Sequence, residues 1–314
     1  MSYTRRHFAK LAAGIGAVAF GRPGLLLAAD KPDSHFSGVL VGVITPYSYH
    51  GMPNDAESLL KFMVQDGISA TEIQCPPVEE YAGAPKPPDV HGNGPEQTAA
   101  RKKYSDELDA WRLTAPMAMF KELRAMYNKA GVSIYGFKLE FSKDAPDGIY
   151  DYAFTAAKTL GANQLTMEMP KDGAQTKKIG EFAAKHKLMV GYHAHTQALP
   201  TTWDEAMAQS PWNGINLDIG HYTAAGNHDA LDFIRKNHSR ITSMHLKDRK
   251  FKENGGQNMP WGQGDTPIKE ALQLMKKEHY KFPATIELEY APPAGSDSEK
   301  EIVKCLAYAK AALA

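Results

Sequence analysis

Apolar residues in this chain of 314 residues cluster in short β-rich runs, and longer segments with helical spacing separate the runs. Alternation of strands with helices favours a parallel sheet whose two faces are covered by helices. Eight strand–helix units predict a single (β/α)8 barrel, a TIM barrel, over residues 30–314. The eight runs cover residues 39–45, 70–75, 132–141, 163–169, 188–195, 214–221, 241–247 and 284–290.

An open, doubly wound α/β sheet is the alternative architecture for this alternation. No Gly-x-Gly-x-x-Gly follows the first predicted strand, which disfavours the nucleotide-binding version of that sheet. Residues 268–275 repeat apolar positions with helical spacing after an Asp-Thr-Pro start, which predicts a helix. Ser296 and Glu299 fit a capping box for the last helix. Residues 76–96, rich in Pro, Gly and acids, are expected to form a long loop, a lid or a disordered segment.

Residues 1–29 have the pattern of an export signal rather than of a folded segment. Arg5 and Arg6 precede a weakly apolar stretch over residues 11–21. Two alanines at positions 28 and 29 provide the small residues that end an export signal. The adjacent arginines resemble the twin-arginine type of signal. We therefore expect export to the periplasm, with an uncleaved tail or a lipid-surface anchor as the alternative.

Charge and composition exclude several classes of function. Lys plus Arg and Asp plus Glu both number 36, and removal of residues 1–29 leaves 32 basic against 36 acidic residues. A neutral to mildly acidic chain argues against a nucleic-acid partner. No uncharged apolar run reaches the length of a membrane span. Two cysteines, Cys75 and Cys305, exclude a disulfide scaffold and are expected to be unpaired.

Polar residues concentrate where the predicted strands end, which in a TIM barrel is where active sites lie. Side chains two residues apart share one face of a strand. His193 therefore points the same way as His195, His245 the same way as Lys247, and Glu287 the same way as Glu289. The other polar residues at or near strand ends are Glu140, Glu168, Asp218, His221, Asp248 and Arg249.

Convergence of these imidazoles and carboxylates at the barrel mouth predicts a site for one divalent metal ion. Two acids on one face of a β-rich strand are costly to bury without a cation. A mixed His, Asp and Glu set suits Mn²⁺, Zn²⁺, Co²⁺ or Fe²⁺, whereas an oxygen-rich set favours Mn²⁺ or Mg²⁺. Taken singly, each His is compatible with packing, Asp218 with capping, Glu168 with a surface carboxylate, and Lys247 and Asp248 with a surface ion pair. Glu287 and Glu289 are harder to explain in this way.

Five segments together resemble the xylose-isomerase-like TIM barrels, the sugar phosphate isomerase/epimerase family. They are Gly-Tyr-His-Ala-His at 191–195, Leu-Asp-Ile-Gly-His at 217–221, His-Leu-Lys-Asp at 245–248, Gly-Gln-Gly at 262–264 and Ile-Glu-Leu-Glu at 286–289. The resemblance covers residues 39–313. It implies metal ligation by Asp218, His245 and Glu287, and substrate contact by His221.

The fifth strand departs from the ketose epimerases of that family. Where they carry a glutamate that is both ligand and acid/base, this chain has His193, which becomes the fourth candidate ligand. The branch with Tyr-His-x-His resembles proteins that act on free or oxidised sugars, including some that cleave 3-oxo-glycosides. Glu289 is close enough to take the place of Glu287.

The resemblance implies proton abstraction next to a carbonyl, through an enediolate that the metal stabilises. Candidates for proton transfer are Glu289, Glu168 and His195, and candidates for substrate binding are His221, Lys247, Glu140 and Arg249. Two flanking proton-transfer groups would give an isomerase or epimerase, and a leaving group β to the carbon would give a lyase. Export favours a non-phosphorylated sugar, sugar derivative or glycoside as substrate.

Three other classes stay open from the sequence. A periplasmic sugar-binding protein without catalysis would explain export, and Trp203, Trp212 and Trp261 could stack on a sugar ring. A hydrolase could use the same metal to activate water. A metal-dependent endonuclease would need a basic face, which the charge balance opposes. A homo-oligomer is compatible with the sequence.

Overall fold

The computed structural model describes residues 31–314. The predicted export signal, residues 1–29, lies outside the described residues. Among residues 31–314, no helix combines the length and apolar character that a membrane crossing requires. Cys75 and Cys305 are free thiols, as predicted.

Eight parallel strands form a closed barrel, which confirms the TIM barrel prediction. Pairing of the first strand with both the second and the last closes the sheet, so the open-sheet alternative is wrong. The strands are β1 (Val39–Thr45), β2 (Ala70–Gln74), β3 (Ser133–Lys138), β4 (Gln164–Glu168), β5 (Met189–His193), β6 (Asn213–Asp218), β7 (Ile241–Leu246) and β8 (Ala284–Ile286).

Eleven α-helices connect the strands within the described residues. They are α1 (Ala56–Asp66), α2 (Cys75–Tyr81), α3 (Pro95–Arg112), α4 (Met117–Ala130), α5 (Asp147–Leu160), α6 (Gly173–His186), α7 (Asp204–Gln209), α8 (Ile219–Ala224), α9 (Ala230–Asn237), α10 (Ile268–Glu278) and α11 (Ser298–Leu313). Short antiparallel strands add His35–Phe36 to β1 and pair Asp248–Arg249 with Asn258–Met259.

Local sequence signals explain how the outer helices begin and end. Asp55 caps the start of α1 by accepting from a backbone N–H three residues on, and Gly67 ends the helix at a φ of 78°. Leu59 and Met63 bury the inner face of α1. The helix predicted after the Asp-Thr-Pro segment is confirmed as α10.

The barrel floor is closed by a side chain that crosses its interior. The Tyr135 hydroxyl lies 2.7 Å from Oγ1 of Thr285, so the tyrosine spans from β3 to β8. Gly42 on β1 makes room for it, because a Cβ there would lie 2.5 Å from the tyrosine ring. The floor is therefore packed around this pair of hydroxyl groups.

The segment predicted as a long loop after the second strand is irregular over residues 82–94, which confirms the loop for most of its length. The two ends of the segment are helical, since α2 extends to Tyr81 and α3 begins at Pro95. The loop starts later than predicted because α2 begins with two consecutive prolines, which are tolerated in a first helical turn. Glu79 anchors this insertion: its carboxylate accepts from Nε of Arg112 at 2.8 Å and from the Tyr152 hydroxyl at 2.9 Å.

Two other local predictions were wrong. The sixth strand ends at Asp218 rather than continuing to residue 221, because the Asp218 side chain caps α8 and turns the chain. The last helix is capped by Asp297, which accepts from the backbone N–H of Lys300, and not by a Ser296–Glu299 box. Ser296 instead donates to Glu301.

Candidate active site

Four side chains from consecutive strands β5 to β8 converge at the mouth of the barrel. His193 ends β5, Asp218 ends β6, His245 lies in β7, and Glu287 directly follows β8. All four are buried, and their candidate ligand atoms lie within 4.8 Å of one another. These are the four residues that the sequence singled out as metal ligands.

His193 presents a lone pair to this cluster. Asn216 donates through Nδ2 to Ser243 and to Glu72, so its Oδ1, 2.9 Å from His193 Nδ1, accepts from the imidazole. The proton on Nδ1 leaves Nε2 unprotonated, 3.9 Å from Oδ2 of Asp218. Burial and the charge of His245 lower the pKa of His193 to about 4, so the neutral form is favoured.

His245 lies between two buried carboxylates. Its Nε2 is 2.9 Å from Oε2 of Glu72, and its Nδ1 is 2.7 Å from Oε2 of Glu287. Burial alone would lower the pKa of His245, but the charges of Glu72 and Glu287 outweigh burial and raise the pKa to about 10. Glu72 therefore has the position of a carboxylate that orients an imidazole ligand.

Sequence reasoning missed Glu72, Asn216, Lys138 and Tyr47. Glu72 is fully buried in β2, and an acid in the middle of an otherwise buried strand was a usable signal. Asn216 gave no such signal, because its role follows only from the neighbours that barrel closure brings to it.

Asp218 uses its two oxygens differently. Oδ1 accepts from the backbone N–H of His221 at 2.7 Å, which caps α8 and fixes the carboxylate. Oδ2 is buried and accepts no well-directed hydrogen bond, although Nζ of Lys247 lies 2.9 Å away. A set of two imidazoles and two carboxylates fits Zn²⁺, Mn²⁺, Fe²⁺ or Co²⁺. Oδ2 of Asp218, which lacks a hydrogen bond, is the oxygen atom that could bind such an ion.

An imidazole–carboxylate pair lies at the rim of the site. Nε2 of His195 is 3.0 Å from Oε2 of Glu168, and Nζ of Lys138 is 2.7 Å from Oε1 of the same glutamate. Burial opposes ionisation of Glu168, but the hydrogen bond from His195 and the nearby positive charges hold its pKa well below the usual range. The hydrogen bond to Glu168 raises the pKa of His195. Glu140 accepts from the backbone N–H of Glu168.

A second group of polar side chains surrounds Lys247. Its Nζ lies 3.0 Å from Oε1 of Glu289, which also accepts from the Tyr47 hydroxyl at 3.0 Å.

Arg249 does not face open solvent. Its Nη1 is 2.6 Å from Nδ1 of His221, and its Nε donates to the carbonyl of Gly256. The His221 ring stacks on the His195 ring at 4.6 Å, which links this group to the rim pair.

Asp248 organises the glycine-rich turn. Its Oδ2 accepts from the backbone N–H groups of Gly262, Gln263 and Gly264, and its Oδ1 accepts from that of Thr266. A Cβ at position 264 would lie 2.0 Å from this carboxylate, which explains the glycine there. The turn motif therefore supports the segment that carries Arg249.

The tryptophans are not all placed for stacking on a sugar. Trp203 is 1% exposed and donates through Nε1 to the carbonyl of Tyr192, so it belongs to the core and the stacking hypothesis is wrong for it. Trp212 and Trp261 are half-buried and pack against the core. Trp261 meets Tyr308 of α11 edge to face.

Comparison with known proteins shows that the carboxyl-terminal part of the chain is similar to one family of barrels. Residues 173–310 match the model of the xylose isomerase-like TIM barrel family. The chain has the xylose isomerase-like TIM barrel fold. All five motifs that suggested this resemblance lie within the matched residues, and the match and the structural neighbours support that family. No curated protein matches the chain in sequence.

Solved structures share this fold at low sequence identity. The xylose isomerase domain protein from Planctomyces limnophilus is 16% identical, with a TM-score of 0.59 over 87% of this chain and 97% of that one. A sugar phosphate isomerase/epimerase from Parabacteroides distasonis is 17% identical, with a TM-score of 0.57 over 88% and 95%. The 3-keto-D-glucoside 4-epimerase from E. coli is 10% identical, with a TM-score of 0.57 over 87% and 99%.

Proposed function

We propose that this protein is a metal-dependent isomerase or epimerase of a non-phosphorylated sugar or sugar derivative. The observation that carries the proposal is the buried cluster of His193, Asp218, His245 and Glu287, with two proton-transfer candidates at its rim. The structural neighbours named for sugar isomerase and epimerase activities support the same class. The metal, when bound, supplies Lewis-acid polarisation of substrate oxygens.

His195 is one of the two groups that would move a proton. Its Nε2–H donates to Glu168, so Nδ1 keeps the lone pair and can accept a proton from the substrate. Glu168 orients the ring and Lys138 holds Glu168 in place. The side chain of His195 is 51% exposed, so a substrate at the mouth can reach it.

Glu289 is the second group. It is held by the Tyr47 hydroxyl and by Lys247, and its Oε1 lies 3.7 Å from Nε2 of His221. Since His221 also stacks on His195, both proton-transfer groups lie close to that imidazole. Two groups that flank one carbon are what epimerisation or isomerisation needs, because one removes the proton and the other returns it.

A lyase that cleaves 3-oxo-glycosides is the second candidate. The 3-keto-D-glucoside named for one neighbour carries the carbonyl that such an elimination requires, and another neighbour is named as a dehydratase. In that reaction one rim group would take the proton and the other would protonate the leaving oxygen.

We further propose that residues 1–29 direct export to the periplasm, where phosphorylated sugars are scarce.

Metal content of the purified protein is the first test of this proposal. We expect about one equivalent of a divalent metal in the wild type, and a loss of most of it in His193→Ala and in Asp218→Asn. The asparagine keeps an oxygen that can cap α8, so the variant tests ligation rather than folding. His91→Ala, on an exposed side chain, is the matched control. Wild-type protein that takes up no metal on reconstitution would refute the proposal.

Deuterium exchange from solvent then separates the candidate reactions. Exchange into ketoses or 3-oxo-glycosides without cleavage supports the isomerase or epimerase, and exchange with release of the aglycone supports the lyase. Sugar binding without any exchange would favour a binding protein. His195→Gln is expected to abolish exchange and to leave the metal content unchanged, because His195 is not among the four ligands.

A further inference from the structure

The ammonium group of Lys247 lies among three carboxylates of the site. Its Nζ lies 2.9 Å from Oδ2 of Asp218, 3.0 Å from Oε2 of Glu287 and 3.0 Å from Oε1 of Glu289. The side chain is 2% exposed. An ammonium group is costly to bury unless such partners compensate it, so these three carboxylates hold the lysine where it is.

The same oxygen atoms are needed by the metal. Oδ2 of Asp218 and Oε2 of Glu287 are the carboxylate atoms that face the two candidate imidazole ligands. A divalent ion bound to them at ordinary metal–oxygen distances would lie next to the ammonium, and the two positive charges would repel each other. Metal and ammonium therefore compete for this pair of oxygens.

The stem of Lys247 is held by packing near Cγ, and Glu289 is a partner for its ammonium outside the ligand cluster. Gly220 lies directly beneath the stem, since a Cβ there would be 2.2 Å from Cγ of Lys247. This leaves the outer methylene groups and the ammonium as the part that can swing. Glu289, which is outside the four-ligand cluster, already contacts the ammonium and could keep it paired.

His221 supplies an independent reason for such a movement. Its Nδ1 lies 2.6 Å from Nη1 of Arg249 and its Nε2 lies 3.1 Å from Nζ of Lys247. Arginine and lysine only donate, and a neutral imidazole has one acceptor nitrogen, so His221 cannot accept from both. Withdrawal of the ammonium from Nε2 relieves this conflict.

We propose that Lys247 is an internal counter-ion that competes with the divalent metal for Asp218 and Glu287, and so sets the metal affinity of the site. When metal binds, the ammonium leaves these two carboxylates and stays paired with Glu289. The inference rests on the proposed metal dependence. In addition to the four residues that would ligate the metal, it names one residue, Lys247, that lowers the affinity for the metal. Without a metal, the ammonium of Lys247 offsets the repulsion between the carboxylates of Asp218 and Glu287.

Lys247→Met tests the competition by removing the charge and keeping most of the stem. Calorimetric titration with ZnCl₂ is expected to give at least about tenfold tighter binding than in the wild type. The variant without metal is expected to melt at a lower temperature, and zinc is expected to raise its melting temperature by more than that of the wild type. Lys250→Met is the matched control, because Lys250 pairs with Asp265 outside the ligand cluster. Its zinc affinity is expected to stay unchanged.

A second measurement uses the wild-type protein and does not depend on the variant folding. Protein labelled with ¹⁵N at lysine is expected to show a water-protected ammonium resonance from Lys247. One equivalent of Zn²⁺ is expected to shift or remove that resonance. Zinc binding that leaves the resonance unchanged, or that is no tighter in Lys247→Met, overturns the inference and leaves the metal site standing. Absence of zinc binding in both proteins overturns the metal dependence and the inference together.

Discussion

Glu72 and His245 form a fully buried pair inside the barrel, with Oε2 of the carboxylate 2.9 Å from Nε2 of the imidazole. The pair joins β2 to β7 across the barrel interior. Because Glu72 holds Nε2, only Nδ1 of His245 faces the other candidate ligands. A buried acid in this position fixes the orientation of the imidazole of one candidate metal ligand.

Replacement of Glu72 by glutamine is expected to weaken metal binding by about 10–100-fold. Glu72 receives donors from Thr166, Asn216 and His245, and a glutamine would direct an NH₂ group at one of them. Calorimetric titration with ZnCl₂ measures the effect. Glu107→Gln, on the exposed face of α3, is expected to bind zinc like the wild type. Unchanged affinity in Glu72→Gln would remove its orienting role.

Asp248→Ala is expected to loosen the segment between β7 and α10. The carboxylate accepts four backbone hydrogen bonds, and hydrogen bonds to charged groups contribute roughly 1.5–3 kcal/mol each. In the variant, water can bind some of the freed N–H groups and recover part of this free energy. We expect a loss of about 2 kcal/mol or more in the free energy of unfolding, measured with urea. Faster proteolysis between residues 250 and 264 should accompany it.

An exposed aspartate provides the comparison for Asp248. Asp232 is paired with Arg235 on the surface of α9, and Asp232→Ala is expected to change the free energy of unfolding by less than about 0.5 kcal/mol. Equal effects of the two substitutions would show that the turn does not depend on Asp248.

Arg112→Met is expected to release α3 from the barrel. The substitution leaves Glu79 buried without its cation, and loss of one partner of a buried ion pair costs about 3–5 kcal/mol. We expect a lower free energy of unfolding in urea and early proteolytic cleavage within residues 82–112. Arg235→Met, which breaks only an exposed pair, serves as control. Intact resistance to protease in Arg112→Met would show that other contacts hold the helix.

Asp66 is expected to make stability depend on pH. Burial raises the pKa of Asp66 to about 6, with a smaller contribution from Glu299 and Asp297, while the hydrogen bond from Tyr49 opposes the shift. An acid whose folded-state pKa is raised destabilises the folded state when ionised, so its cost is present above about pH 6 and is lost as the pH falls towards 4.

Asp66→Asn isolates this effect, because the amide oxygen can still accept from Tyr49. The variant is expected to gain stability over the wild type at pH 8 and to lose that advantage at pH 4. Urea unfolding of both proteins at the two pH values measures the difference. A difference that does not change with pH would contradict the raised pKa of Asp66.

Much of the fold could be predicted because it depends on local patterns. The order of apolar runs indicates which strands are neighbours, and the two-residue period of a strand predicts that His193 and His195, or Glu287 and Glu289, share a face. Side chains at the ends of successive parallel strands lie side by side. The sequence therefore predicted a cluster of polar groups at the barrel mouth, and the resemblance of its motifs named the four candidate metal ligands.

The remaining parts of the site depend on contacts across the closed barrel. Glu72 and His245 are 173 residues apart, and their pairing follows from barrel closure and strand stagger, which the hydrophobic pattern does not encode. The burial of Trp203 likewise depends on a neighbour from a strand, because its Nε1 donates to the carbonyl of Tyr192. The sequence by itself determined the barrel and the ligands at its mouth. Only the tertiary structure decided that Glu72 contacts His245 and that Lys247 lies among the carboxylates, because both positions are set by packing across the barrel interior.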